Sequence, residues 1–291
     1  MNIYTTHFGL KERPFSLVPD PDFLFWSDQH RRAFAMLEYG LLAHAPITLI
    51  TGDVGAGKTT LLHQLLRTLE DNVRVGLISN AHGDRGELLR WVLLALDQSP
   101  VVAATYVELF GQLQTYLIAE YAAGRRVILI FDEAQNLSRE SLEELRMFTN
   151  INSGKDELLQ LVLIGQPELR ETVSRPDMSQ FAQRVVSSFH LTAMSPEMVA
   201  AYVAHRMTVA GATRDVFADD AVGLIAEAAA GVPRLVNKLC DLALVYAFAG
   251  DLHRVDRALV QMILDEGVFF SGAPAQAQLL KLSPRHRHVP E

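Results

Sequence analysis

The sequence contains a single cysteine, Cys240, and no second Cys or His follows it at the spacing of metal ligands. A disulfide framework and a zinc site at this residue are therefore excluded. We expect Cys240, which lies in an apolar helical pattern, to be a small residue of the core. The ten histidines are scattered along the chain, and the closest pair, His286 and His288, lacks the three or four convergent ligands that a metal site needs.

Long apolar runs are also missing. The stretch 39–52 has no charged residue, but it contains Pro46 and is shorter than the ~18 apolar residues that a membrane-spanning helix needs. Residues 1–13 alternate between polar and apolar and lack the basic start and apolar core of a secretory signal. These absences predict a cytoplasmic chain without an integral membrane segment, which could reach the inner membrane only through a partner.

Basic residues are outnumbered. The 26 Lys and Arg against 34 Asp and Glu give a formal net charge of −8, which disfavours binding of nucleic acid through bulk charge. A local basic patch is still compatible with this balance. With 49% hydrophobic and 21% charged residues, the chain can bury a sizeable core in one large domain or two smaller ones.

Two kinds of pattern divide the chain. Apolar runs at 47–51, 127–131 and 158–164 are typical of buried strands, the segment 73–79 is predicted as a further strand, and helical patterns stand between them. This alternation predicts an α/β fold with a parallel, right-handed sheet flanked by helices. Beyond Ser195, a predicted helix cap followed by a proline, only Ala-rich helical patterns occur.

We therefore predict four parts along the chain. Residues 1–45 form an irregular, proline-rich strap and the first helix, which Ser27 caps, and residues 46–194 form the α/β core. Residues 195–270 form a small all-helical domain. Residues 271–291, rich in Ala, Gln, Pro and His, form a flexible tail.

A glycine-rich segment has the pattern G-x-x-x-x-G-K-[ST] and lies between a predicted strand and a predicted helix. Glycine is needed there because backbone N–H groups must point inward around phosphates at the helix N-terminus. Lys58 would meet the β- and γ-phosphates of ATP, and the Thr59 hydroxyl would bind Mg²⁺. An accidental glycine-rich turn is the alternative, and the placement argues against it. The predicted ATP-binding residues are Gly52, Asp53, Val54, Gly55, Ala56, Gly57, Lys58, Thr59 and Thr60.

An acidic pair, Asp132 and Glu133, follows the strand predicted at 127–131. Ligands of open parallel sheets bind at the carboxyl ends of the strands. Asp132 could therefore hold Mg²⁺, and Glu133 could orient and activate the attacking water. Such a pair alone is also typical of a solvated turn or a helix cap, but together with the glycine-rich segment it predicts an ATPase.

Two arginines are candidates to stabilise the charge that develops on the γ-phosphate. Arg184 precedes the mostly apolar stretch 185–191, and Arg234 follows Gly231-Val-Pro at a predicted helix start. A surface salt bridge is the other interpretation of each arginine, and the pattern alone leaves both open.

Several short segments together resemble the AAA+ ATPases of the general secretion pathway protein A (ExeA) family, over residues 3 to about 266. They are Phe8-Gly-Leu-Lys-Glu-Arg-Pro-Phe15, Pro19-Asp-Pro21, the segment 52–60, Phe131-Asp-Glu-Ala-Gln135, Leu163-Ile-Gly-Gln-Pro-Glu-Leu169, Ala182-Gln-Arg-Val185 and Gly231-Val-Pro-Arg-Leu235. The resemblance implies a P-loop AAA+ core at 46–194 and a helical lid at 195–270.

The resemblance also implies roles for individual residues. Gln166 would be the first sensor of the nucleotide, Arg234 the second sensor, and Arg184 the arginine finger that enters the site of a neighbouring subunit. Asn80 would be the switch that can hold Glu133 away from water. ATP hydrolysis would then need a homo-oligomer, either a ring or a helical filament.

The family's namesakes continue into a membrane helix and a peptidoglycan-binding region, and the sequence has no counterpart of either. It therefore resembles the short members that serve pilus or exopolysaccharide export, and we expect a protein partner from an envelope, export or secretion system. DNA is the alternative partner, because the same core resembles transposition regulators of the TnsC and TniB type. A nucleotide-gated scaffold with little turnover is the third interpretation, which the presence of Glu133 weakens.

Overall fold

The computed structural model of the chain describes residues 3–79, 87–100, 103–154 and 156–271. The predicted switch residue Asn80 and nearly all of the predicted tail lie outside these ranges. Within them, none of the helices combines the length and the apolar character that crossing a membrane requires.

In the ranges that the structure describes, seven strands form two sheets. They are β1 (Ile47–Gly52), β2 (Val73–Ser79), β3 (Arg126–Asp132), β4 (Asn152–Ser153), β5 (Asp156–Glu157), β6 (Leu159–Gly165) and β7 (Val185–Leu191). Five of them pair in parallel in the order β2-β3-β6-β1-β7, while β4 and β5 form a small antiparallel ribbon. The parallel sheet that the sequence predicts is confirmed.

Burial along the strands follows their place in the sheet. Every residue of β1 and β6, which lie inside the sheet, is buried, because helices cover both faces. The edge strand β2 instead alternates between buried and exposed positions. The continuous apolar runs in the sequence therefore mark the inner strands, which carry the loops described below.

Among the described residues, eight α-helices lie before residue 195 and four lie after it. The first group is α1 (Thr5–Phe8), α2 (Asp28–Leu42), α3 (Lys58–Thr68), α4 (Glu87–Ala95), α5 (Tyr106–Ala122), α6 (Arg139–Phe148), α7 (Pro167–Val173) and α8 (Ser179–Ala182). The second group is α9 (Pro196–Val209), α10 (Asp219–Ala228), α11 (Pro233–Ala249) and α12 (Arg257–Asp265). The helical C-terminal region is confirmed, as are the caps: the Ser27 and Ser195 hydroxyls accept hydrogen bonds from the backbone N–H groups of His30 and Met198.

The N-terminal strap, residues 3–27, contains two short elements that the sequence did not predict, the single-turn helix α1 and a 3₁₀ turn at Pro21–Phe23. Most of its aromatic rings pack into the apolar cluster of α9 to α12, whereas Trp26 packs against the cluster that contains residues of the sheet. The Arg13 guanidinium also contacts the Asp241 carboxylate on α11 at 2.6 Å. The strap is therefore attached to the C-terminal helices, while the predicted division of the chain at residue 195 stays a prediction.

Candidate functional site

The glycine-rich segment forms the turn from β1 into α3, as its pattern predicts. Gly55 and Gly57 have φ values of 81° and 95°, in the left-handed region that glycine adopts without strain. A Cβ atom on Gly57 would lie 2.8 Å from His30 Nε2. The turn therefore depends on glycine for its backbone conformation and for its close packing. We call residues 52–59 the phosphate loop.

Lys58 is the first residue of α3 and is only 6% exposed. Its Nζ donates hydrogen bonds to the carbonyl oxygens of Gly52 at 2.6 Å and Asp53 at 2.8 Å. Burial lowers the pKa of this ammonium, and the carboxylates of Glu133 and Asp132 oppose that shift. The lysine is thus held inside the phosphate loop, close enough to the acidic pair for their charges to interact.

Thr59 and Asp132 come from different elements and meet across the site. The Thr59 hydroxyl donates to Asp132 Oδ2 at 3.5 Å, and the Glu133 backbone N–H donates to Asp132 Oδ1 at 3.0 Å. Burial raises the pKa of Asp132, against the hydrogen bond from Glu133. Two hard oxygen donors at this separation fit Mg²⁺, which binds such ligands at about 2.1 Å.

Glu133 has a left-handed backbone conformation, with φ of 55°, which is uncommon for a residue with a side chain. Its Oε2 accepts hydrogen bonds from Gln135 Nε2 at 2.7 Å and from Gln166 Nε2 at 3.2 Å. Burial raises the pKa of Glu133, but these two hydrogen bonds and the Lys58 charge together lower it. The carboxylate is therefore held in its charged, proton-accepting form.

Gln135 is a functional candidate that the sequence analysis missed. Its Nε2 binds Glu133, and its Oε1 accepts the backbone N–H of Gln166 at 3.0 Å. One side chain thus links the end of β3 to the end of β6. The signal was present, since Gln135 ends the segment Phe131-Asp-Glu-Ala-Gln135, but a glutamine two residues after an acidic pair has no diagnostic value by itself.

His30 is a second residue that the sequence analysis missed. Its Nε2 donates to Ala56 O at 3.2 Å, which leaves Nδ1 to accept from the Ser27 hydroxyl at 2.8 Å. Burial lowers the pKa of this imidazole. His30 therefore supports the phosphate loop from α2 in its neutral form, and only the folded structure brings the two segments together.

Arg234 lies beside the phosphate loop. Its backbone N–H donates to Gly55 O at 3.3 Å, and the residue lines the same cavity as Lys58, Thr59 and Glu133. The other residues of this cavity come from the strap, from α2, and from the segment 194–237 that includes α9 and the start of α11. The structure thus brings Arg234 together with the phosphate loop and the acidic pair.

Arg184 lies elsewhere. It immediately precedes β7, which runs parallel to β1. It therefore lies at the amino-terminal ends of the strands, whereas the phosphate loop lies at their carboxyl-terminal ends. Its guanidinium contacts Glu157 Oε1 at 3.2 Å and Asn150 Oδ1 at 2.5 Å. The residue cannot reach the cavity of its own chain.

The chain is similar to a family model over part of its length and to a relative over most of it. Residues 42–173 match the family model described as an AAA domain. General secretion pathway protein A of Aeromonas hydrophila is 38% identical over 277 residues, which cover 93% of this chain and 51% of that protein. The chain thus spans about half the length of this relative.

Solved structures confirm the fold. Cdc6p from Pyrobaculum aerophilum superposes with a TM-score of 0.67 at 16% identity, covering 96% of this chain and 74% of that one. The Aeropyrum pernix ORC2 protein, solved as ADPNP and ADP complexes, has a TM-score of 0.63 at 19% identity, with coverages of 88% and 72%. The chain therefore has the AAA+ fold, and it is related to general secretion pathway protein A along most of its own length.

Proposed function

We propose that this chain binds Mg-ATP in the cavity between the phosphate loop and Arg234 and hydrolyses it. The observation that carries the proposal is the meeting of Thr59, Asp132 and Glu133 beside the phosphate loop. A helix N-terminus with glycines in left-handed conformation suits a phosphate group. Hydrolysis then needs a positioned water and charge stabilisation more than covalent chemistry.

Each residue of the site has a distinct task in this proposal. Lys58 and the backbone N–H groups of residues 52–60 bind the phosphates, and Arg234 contacts them from the helical lid. Thr59 and Asp132 would hold Mg²⁺, which neutralises phosphate charge when it is bound. Glu133 orients the water and accepts its proton, while Gln166 holds the Glu133 carboxylate in place.

We further propose that the active site is completed between two copies of the chain. Arg184 lies at the amino-terminal ends of the strands, and its own cavity lies at their carboxyl-terminal ends. Its guanidinium can therefore reach only the site of a neighbouring copy. A neighbour that places its Arg184 surface against the cavity forms a head-to-tail contact, which either closes into a ring or propagates as a filament.

The cellular role that we propose is assembly of an envelope, pilus or polysaccharide export system. The support is the relationship to general secretion pathway protein A of Aeromonas hydrophila. In this proposal the chain works in the cytoplasm and reaches the membrane through a protein partner. Complementation of a deletion strain tests it: the wild type should restore export into the medium, and Glu133→Gln should not. Unchanged export in the deletion strain would contradict the assignment.

The ATPase proposal is tested by turnover and binding in the purified protein. Glu133→Gln should bind ATP as the wild type does but hydrolyse it on the order of a hundredfold more slowly, because the general base is lost. Lys58→Ala should lose ATP binding while remaining folded. Glu140→Gln, a charge-matched change at an exposed position of α6, should keep wild-type turnover. Near-normal turnover in Glu133→Gln would contradict the role of that carboxylate.

A further inference from the structure

The Arg184 guanidinium is bound on both sides by residues of its own chain. Its Nη1 donates to Glu157 Oε1 at 3.2 Å, and its Nη2 donates to Asn150 Oδ1 at 2.5 Å. Glu157 ends the short strand β5, and Asn150 lies just after α6. Both terminal nitrogens of the guanidinium are therefore engaged before any neighbouring copy is present.

The Glu157 carboxylate relies on Arg184 in turn. Among the described residues, its Oε2 atom is buried without a hydrogen-bond partner, and the hydrogen bond to Oε1 comes from Arg184. Burial raises the pKa of Glu157, and the Arg184 charge opposes that shift. The side chains of Glu157 and Arg184 are 29% and 34% exposed, so solvent weakens this pair without removing it. Release of Arg184 would leave a half-buried carboxylate unpaired, which is unfavourable.

A guanidinium that is paired with a carboxylate is poorly suited to stabilise a phosphate. The pair has no net charge, and a bidentate contact needs two N–H groups directed at the phosphate oxygens. Arg184 must therefore exchange Glu157 for a phosphate oxygen before it can act in the site of a neighbour. The two residues line a surface cavity at the amino-terminal ends of the strands, which leaves the guanidinium room to turn outward.

We propose that Glu157 holds Arg184 in a resting position within its own chain, and that the phosphates of a neighbour's ATP replace Glu157 when copies assemble. This step rests on the shared site proposed above, and it adds the contact that controls this site. Each new contact between copies then breaks one pair of Arg184 and Glu157. The pair opposes assembly, and the bound nucleotide of the neighbour favours it.

Glu157→Gln tests this role, because it removes the negative charge and keeps the size of the side chain. The quantity to measure is the protein concentration that gives half-maximal specific ATPase activity. We expect this concentration to fall about two- to fivefold, as the loss of a partly exposed ion pair predicts. Maximal turnover should not fall below that of the wild type. Asn150→Ala, at an exposed position, should shift the concentration in the same direction and serves if Glu157→Gln fails to fold.

Glu143→Gln provides the matched control. Glu143 pairs with Arg146 at 2.7 Å, and the two side chains are 30% and 21% exposed. Glu143 lines neither the cavity of the proposed ATP site nor the cavity beside Arg184. The half-maximal concentration should therefore equal that of the wild type. An equal decrease in this control would show that the loss of any acidic charge promotes assembly, and it would overturn the role of Glu157.

Assembly of the Arg184→Ala protein gives a second measurement. In sedimentation with ATP, Glu157→Gln should not promote assembly of Arg184→Ala, because this background has no pair to break. A shift of the same size as in the wild-type background would show that Glu157 acts through another contact. That result would also overturn its role in holding Arg184.

The remaining outcomes separate this inference from the shared site itself. An unchanged half-maximal concentration in Glu157→Gln, or in Asn150→Ala if Glu157→Gln does not fold, overturns the resting contact. A lower maximal turnover in Glu157→Gln overturns it too, since Glu157 would then hold Arg184 in its working position. In these cases the shared site stands if Arg184→Ala is inactive. If Arg184→Ala keeps wild-type turnover, the shared site fails and this inference fails with it.

Discussion

The backbone N–H of Arg234 donates to the carbonyl oxygen of Gly55 at 3.3 Å, so the helical lid contacts the phosphate loop directly. A Cβ atom on Gly55 would lie 2.5 Å from the Cβ of Arg234, closer than two such atoms can approach. The lid can therefore lie against this loop only because residue 55 has no side chain.

Gly55→Ala should destabilise the protein and weaken ATP binding. The new methyl group would meet Arg234, and the φ of 81° would cost a residue with a side chain about 1–2 kcal/mol. Urea unfolding and calorimetry measure the two effects. Gly111→Ala is the control, since Gly111 lies in α5 with nothing within 4 Å of an added Cβ, and it should stabilise the protein by up to about 1 kcal/mol. Wild-type values in Gly55→Ala would show that the lid contact does not constrain the loop.

Gln135→Leu should lower the turnover rate about ten- to hundredfold with little effect on ATP affinity. The substitution removes the hydrogen bonds to Glu133 and to the Gln166 backbone, so the proposed base loses its fixed position. Steady-state kinetics and calorimetry separate the two quantities. Gln112→Leu, on α5 and away from the cavity, should behave as wild type.

A double variant tests whether Gln135 acts through Glu133. Gln135→Leu in a Glu133→Gln background should cause no further loss of turnover, because the carboxylate that Gln135 positions is already absent. If the two losses multiply, Gln135 has a separate role. A Gln135→Leu protein that no longer binds ATP would instead show that the residue maintains the structure of the site.

Stability should fall as the pH is lowered below about 6.5, the ordinary pKa of histidine. Burial lowers the pKa of His30 in the folded protein, so the unfolded chain binds more protons in the window beneath the ordinary value. The stability that neutral His30 provides is therefore complete above this window and is lost as the pH falls through it. Urea unfolding between pH 5 and pH 7.5 measures the slope.

His30→Gln should show a shallower dependence of the unfolding free energy on pH than the wild type. Part of the dependence should remain, because burial also lowers the pKa of His205. His30→Gln should also be less stable at neutral pH, since the support for Ala56 is altered. Equal slopes in the two proteins would show that the pKa of His30 is the same in the folded and the unfolded chain, which would contradict the prediction.

Arg184→Ala should bind ATP but hydrolyse it roughly a thousandfold more slowly, as expected when an arginine supplied by a neighbour is lost. Lys58→Ala lacks ATP binding but still carries Arg184. An equal mixture of the two inactive proteins should regain roughly a quarter of the wild-type activity if the copies assemble at random. A mixture that co-sediments and stays inactive would contradict the shared site.

The control for this experiment is Arg175→Ala. Arg175 is also a surface arginine paired with a carboxylate, that of Asp177, but it does not lie at the start of β7. Its removal should leave turnover unchanged. In the wild type, specific activity should rise with protein concentration and then level off, because dilution separates the copies. Constant specific activity at all concentrations would favour a self-sufficient monomer.

The sequence predicted the parts of the site that depend on local order. The phosphate loop follows β1 directly, and the acidic pair lies at the end of β3. Parallel pairing of β1, β6 and β3 brings the carboxyl-terminal ends of these strands side by side. His30 and Gln135 could not be predicted in the same way. Their partners, Ala56 and the Gln166 backbone, lie 26 and 31 residues further along the chain.

The helices were predicted less evenly than the strands. The pattern at 233–249 matches α11 in full, because a proline begins the helix and Gly250 follows it. Helices α5 and α6 were not predicted, although their caps Thr105 and Ser138 are typical ones. Most rings of the strap pack into the apolar cluster of α9 to α12, and the predicted assignment of the strap to the α/β part stays a prediction.

Arg184 lies at the amino-terminal ends of the strands and the phosphate loop at their carboxyl-terminal ends, so each copy has two unlike faces. In an open row of copies that share sites, the copy at one end has no neighbour to complete its cavity, and the arginine at the other end has no nucleotide to meet. Such a row therefore contains one fewer working site than it has copies, whereas a closed ring loses none. Activity per copy would then report the length of the row, and a dimer would work at about half the rate of a ring.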